Sequence, residues 1–142
     1  FQQPGEGVLS ETAHREITAT SEILTTAGVS VHLFDDDRDD RPDAVFPNNW
    51  FSTHPGAHVA VYPMAVPSRR RERRADVLDF LKSNYRVQDI VDYSGLEHDG
   101  LYLEGTGAMV LDHLDRVAYV AKSNRAEHIQ LSGPHHTSLR NQ

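Results

Sequence analysis

The spacing of apolar residues changes period along the chain, and each change predicts an element. Ala13, Ile17, Thr20, Leu24 and Ala27 recur every three or four residues after Ser10, and Ile23 widens the stripe. This predicts an amphipathic helix over residues 10–27, with Ser10 as N-cap and Gly28 as the glycine that ends it. Val29, Val31 and Leu33 then alternate with Ser30 and His32, the pattern of a half-buried strand. The charged run from Asp35 to Arg41 reads as a solvated loop, because it lacks the central glycine and terminal glutamate of a calcium loop.

Residues 42–54 mix two tendencies. Val45, Phe46, Trp50 and Phe51 favour a strand and a core, while Asp43, Asn48 and Asn49 stand among them and Pro47 rules out an unbroken central strand. Such a segment is either an edge strand with a polar kink or the wall of a pocket. Pro55-Gly56 marks a turn, and Val59, Val61 and Tyr62 make the second strand of a hairpin. Ser68 is placed to cap a helix reaching Tyr85, with Ala75, Leu78, Leu81 and Tyr85 on one face and Val77 and Phe80 alongside. Its first turns carry Arg69, Arg70, Arg71, Arg73 and Arg74, positive charge at the end of a helix where the dipole disfavours it. The run is either a solvated face, with Glu72 pairing locally, or a holder of carboxylates from the protein or an amino-acid ligand, which an arginine fork fits bidentately.

A short strand follows around Val87, Ile90 and Val91 up to Asp92, and Ser94-Gly95 and Asp99-Gly100 are turns. Residues 100–112 read as strand, Gly105-Thr106-Gly107 turn and strand, with Glu104 at the strand end. Residues 116–121 form a further strand. Regular spacing ends near Asn124, so residues 126–142 are expected to be an irregular, mobile tail. Strand-strand-helix-strand order makes the fold class mixed α/β.

Composition narrows the chemistry. The chain has 142 residues, a net charge of −7 and no cysteine. The acidic balance argues against a nucleic-acid partner, and no apolar run reaches the roughly 20 residues that span a membrane. A chain without cysteine has no disulfide, no thiolate metal site and no thiolate nucleophile of its own. His54 and His58 are four apart, but Pro55 and Gly56 between them exclude a shared helix face, so no metal pair is expected. No cofactor and no metal are expected, and the absence of an apolar leader in this sequence points to the cytoplasm.

Two motifs in register carry a family resemblance. Phe46-Pro47-Asn48-Asn49-Trp50-Phe51-Ser52-Thr53-His54 and Leu103-Glu104-Gly105-Thr106-Gly107, with Tyr62-Pro63-Met64 and the arginine run between them, resemble the pentein superfamily of guanidine-modifying enzymes, specifically its amidinotransferase or citrulline/arginine hydrolase-like branch. The resemblance covers residues 1–125, taken as one domain, and implies a partial α/β propeller with about two of five ββαβ units. It implies that Glu104 is a catalytic acid gripping a guanidino group, and that Asp43, Phe46, Asn48 and Asn49 bind the substrate. Related enzymes often carry acids where Asn48 and Asn49 stand, and an amide that both donates and accepts also suits a neutral ureido group. The expected partner is a small amino acid with a guanidino or ureido group. The family reaction uses a cysteine nucleophile and a His-Thr motif, which His136-Thr137 echoes only faintly. The resemblance therefore implies the N-terminal half of an arginine-metabolising hydrolase or amidinotransferase, truncated and inactive alone, with a non-catalytic binding or interaction domain as the alternative. Uncovered strand edges would favour a homo-oligomer.

Overall fold

A computed structural model describes residues 7–126 except 37, 39 and 42, and the side chains from residue 11 onward. The echo at His136-Thr137 and residues 127–142 of the expected tail lie outside the described residues; the tail's first residue, Ala126, is buried and bridged to Leu103. The chain divides into two compact units, Phe1–Pro42 and Asp43–Gln142.

The first unit is built on α1 (Gly7–Thr26), which begins three residues before the expected start at Ser10. Its end follows the sequence closely. Gly28 takes φ +88°, the Gly28 amide donates to the Thr25 carbonyl, and the Val29 amide donates back to the Leu24 carbonyl at 3.0 Å. This paired closure is the Schellman motif, whose left-handed position at Gly28 favours glycine. Hydroxyls of Thr18, Thr20, Thr25 and Thr26 each donate to the carbonyl four residues back, turning polar side chains onto their own helix. The expected strand over 29–33 does not form. Alternation predicts which face a strand would bury, but a strand also needs a ladder partner, and none of the described residues pairs with this segment. Asp36 pairs with Arg41 and Arg38 with Asp40 in the charged loop.

The second unit contains one complete ββαβ sequence. β1 (Phe51–His54) and β2 (His58–Val61) are antiparallel, and β3 (Asp89–Asp92) joins β2 in parallel, so the sheet order is β1-β2-β3. The long connection that a parallel pair requires is supplied by α2 (Pro67–Arg70) and α3 (Ala75–Asn84). Alternation along β2 sorts its side chains between two cores. Val61 joins Trp50 and Met64, with Val77, Leu78 and Ile90 packed alongside. Ala60 packs against the other cluster, formed by Tyr62, Leu103, Ala108, Met109 and Ala126.

Three expectations need correction here. The single helix from Ser68 to Tyr85 is two helices with a break at 71–74, and Val66 rather than Ser68 is the first cap. The break turns Glu72 inward to 2% exposure, and Arg69, Arg70 and Arg73 bond inward as well, Arg70 to the Met64 carbonyl at 2.9 Å. The strand-turn-strand expected over 100–112 is instead a one-turn helix, α4 (Gly105–Ala108), entered from Glu104 and followed by β4 (Met109–Asp112). Only Leu103 makes a bridge before it, to Ala126. Val45 and Phe46 lie in a turn and are 51% and 43% exposed, because Pro47–Asn49 form a 3-10 turn that ends any strand before Trp50.

β4 pairs with β5 (Val117–Val120) as an antiparallel hairpin, with Val110 opposite Tyr119. The architecture is mixed α/β with two small open sheets, and among the described residues no sheet closes on itself. No helix of the described residues is long and apolar enough to cross a membrane.

Candidate functional site

Glu104 is fully buried, and its carboxylate is the hub of the second unit. Oε1 accepts the Ala65 amide at 3.2 Å. Oε2 accepts Arg125 Nε at 2.6 Å and Arg69 Nη1 at 3.5 Å. The backbone repeats the link, since the Glu104 amide donates to the Arg125 carbonyl at 3.2 Å. Arg69 also holds Glu72 by two bonds, Nε to Oε1 at 3.0 Å and Nη2 to Oε2 at 3.1 Å. A guanidinium bound by this planar fork is the strong form of ion pair, and removing either partner would strand a buried charge.

The electrostatics follow from three acids facing two arginines. Burial opposes the Arg69 charge, but the hydrogen bond and charge of Glu72, and then the charges of Glu104 and Asp43, outweigh it and raise the Arg69 pKa. Burial raises the Glu72 pKa; Arg69 opposes that rise, and Asp43 and Glu104 add to it.

The 3-10 turn at Pro47–Asn49 is pressed against α4. The Asn48 side-chain amide donates to Thr106 Oγ1, and a β-carbon on Gly105 would collide with the Asn48 carbonyl oxygen and crowd the Tyr62 ring. A β-carbon on Gly107 would collide with the Arg125 guanidinium and Asn49 Oδ1. The two glycines are therefore close-approach residues: they allow the amides, Glu104 and Arg125 to share one small volume.

The structure thus brings together four of the five residues singled out from sequence: Asp43, Asn48, Asn49 and Glu104. Asn48 is exposed, Asn49 is 6% exposed with its carbonyl against Gly107, and Asp43 is half-buried at the start of the turn. Phe46, the fifth, caps the 3-10 turn and is exposed beside them. Arg125 and Glu72 were missed. Arg125 falls where periodicity ends, and no local pattern marks it, because its partner is 21 residues back. Of the two readings of the arginine run, a solvated face and a holder of carboxylates, the second holds at Glu72: Arg69 pairs with it and both are buried. Glu97 was also missed; it accepts the Met64 amide at 2.7 Å and pairs with Arg73 and Arg70, so the arginine run is consumed largely by protein carboxylates.

Carboxylates, amides and arginines thus gather between the 3-10 turn and the glycine-bounded turn of α4, and the sequence matches a family of the pentein class, whose members modify guanidino groups. Residues 2–135 match the family model described as N,N dimethylarginine dimethylhydrolase, eukaryotic, and the chain belongs to that family. No curated protein and no solved structure matches it.

Proposed function

We propose that this chain forms the ligand-recognising part of a hydrolase acting on guanidino-modified arginine. The observation that carries the reading is the buried Glu104–Arg69–Arg125 centre lying against the Asn48-Asn49 turn, in a chain of the dimethylarginine dimethylhydrolase family. Glu104 has no exposed surface, so its role is to fix Arg125, whose side chain is 43% exposed and offers its remaining N–H groups to the carboxylate of an amino-acid ligand. Asp43, Asn48 and Phe46 face the planar group at the ligand's other end, with Asn49 supporting them. The amides accept a methylated guanidino group or a neutral ureido group, which keeps citrulline within the ligand class and amidino transfer within the reaction class.

Hydrolysis needs a nucleophile. In guanidino chemistry a thiolate adds to the central carbon, the amine leaves with a proton, and water then releases the covalent intermediate. This chain holds no cysteine and does not supply that step. A second reading, a non-catalytic domain that binds arginine-like ligands, rests on the same Asn48–Arg125 geometry. Both readings require binding.

The test is an NMR titration of the chain with N,N-dimethylarginine, arginine, citrulline and lysine. Responses at Asn48, Thr106 and Arg125 to the first three, with a weaker response to lysine, are expected. Equal responses to all four, or none near Asn48 and Arg125, would reject the pocket. Release of dimethylamine above the buffer control by this chain alone would reject the inactive assignment.

A further inference from the structure

The opposite end of β1 from the 3-10 turn carries a second cluster, which the guanidino chemistry does not use. His54 closes β1 and His58 opens β2, and the two are direct cross-strand partners around the Pro55-Gly56-Ala57 turn. Directly opposed residues of an antiparallel pair project from the same face with β-carbons about 4.5–5.5 Å apart. The intervening proline and glycine exclude a helical pair, yet they are what brings the two imidazoles together across a hairpin.

Each ring is held by one nitrogen. His54 Nε2 bonds Ser52 Oγ at 2.7 Å, and Ser52 Oγ in turn bonds the Tyr62 hydroxyl at 2.6 Å. His58 Nδ1 bonds Asp89 Oδ1 on β3. With those nitrogens protonated as donors, His54 Nδ1 and His58 Nε2 carry lone pairs, and no described residue is recorded bonding either atom. His58 Nε2 leans over Gly56, where a β-carbon would obstruct it. A ring whose far N–H is fixed by an oxygen acceptor is the arrangement of a metal-binding histidine, with the acceptor setting tautomer and orientation.

We propose that His54 and His58 form a two-imidazole site for a divalent transition-metal ion of the copper, nickel or zinc class, with Asp89 and Ser52 as the orienting acceptors and water completing the coordination. Imidazole suits these ions, and copper(II) binds most tightly among them. Among the described residues no group of three or more His, Cys, Asp or Glu is arranged to hold a metal, so the site has two protein ligands and is exchangeable.

The test uses the full chain with His135 and His136 replaced by glutamine, since adjacent histidines bind copper on their own. Copper(II) titration by calorimetry and electron paramagnetic resonance is expected to give one equivalent with two nitrogen ligands. His54→Gln and His58→Gln should each weaken binding by at least about tenfold, Asp89→Asn by about tenfold through lost orientation, and His98→Gln not at all. If His54→Gln or His58→Gln does not fold, the spectrum of the parent and the Asp89→Asn titration decide. A single nitrogen in the parent spectrum, or affinity unchanged in His54→Gln, His58→Gln and Asp89→Asn, overturns the site.

Discussion

α1 and the Glu104 centre are held together in opposite ways. The helix closes on itself: its hydroxyls return to its own carbonyls, its C-terminus is satisfied by Gly28 and Val29, and Ile17 and Leu24 on its apolar stripe remain 41% and 42% exposed. The Glu104 carboxylate makes no local bond. Its partners come from Ala65, Arg69 and Arg125, separated from it by 39, 35 and 21 residues, and all of Glu104 is buried. An element made of local contacts tolerates the loss of one side chain, whereas a buried charge network does not, because each deletion leaves another charge unpaired.

Glu104→Ala is the largest expected break. It breaks a buried ion pair, leaving Arg69 to Glu72 alone and Arg125 to solvent, and should cost about 3–5 kcal/mol in urea denaturation, a large share of an ordinary domain's stability. A loss no larger than that of a surface substitution would show that the arginines find other partners. Glu104→Gln keeps the shape and should cost less.

Gly107→Ala tests the close approach rather than the charge. The added methyl meets the Arg125 guanidinium and Asn49, and accommodation should cost about 1–3 kcal/mol by the same measurement. Wild-type stability in this variant would mean that the loop carrying Arg125 yields freely.

On the helix, Ile17→Ala should cost no more than about 1 kcal/mol, since the side chain it shortens is already 41% exposed. A loss comparable to that of Glu104→Ala would remove the contrast between the two regions.

The pH dependence separates two further groups. The His54 pKa is lowered in the folded state, so the unfolded chain binds more protons as pH falls through the ordinary histidine value of 6.5. Its contribution to stability is therefore present above 6.5 and lost as pH falls toward its folded pKa. Glu72, with a raised pKa, runs the other way: the folded chain binds more protons just above 4.5, so its contribution falls as pH rises through that range. Thermal melts of His54→Gln and of the parent between pH 5 and pH 8 should differ in slope; parallel curves would exclude His54 as the source. The smallest effect is expected at the exposed Lys82–Asp79 pair, where Lys82→Ala should change stability by less than about 0.5 kcal/mol.

Residues whose fate depends on near neighbours were legible from the sequence. The glycine stop at Gly28, the Pro55-Gly56 hairpin, β3 ending at Asp92 and the β4–β5 hairpin all follow from local spacing and turn chemistry. The residues of the candidate site were legible only because their motif resembled a known family; their spacing alone allowed a polar kink as readily as a pocket. Tertiary structure decided the rest. It left the alternating segment 29–33 without a ladder, broke the arginine-bearing helix so that Glu72 turned inward, and folded Gly105–Ala108 into a helical turn. It chose Arg125 as the partner of Glu104 and set His54 opposite His58. The physical reason is range. Helix stops and tight turns are settled within a few residues by backbone geometry, but a buried charge is paired by whichever residue the fold delivers, and that residue can lie anywhere in the chain.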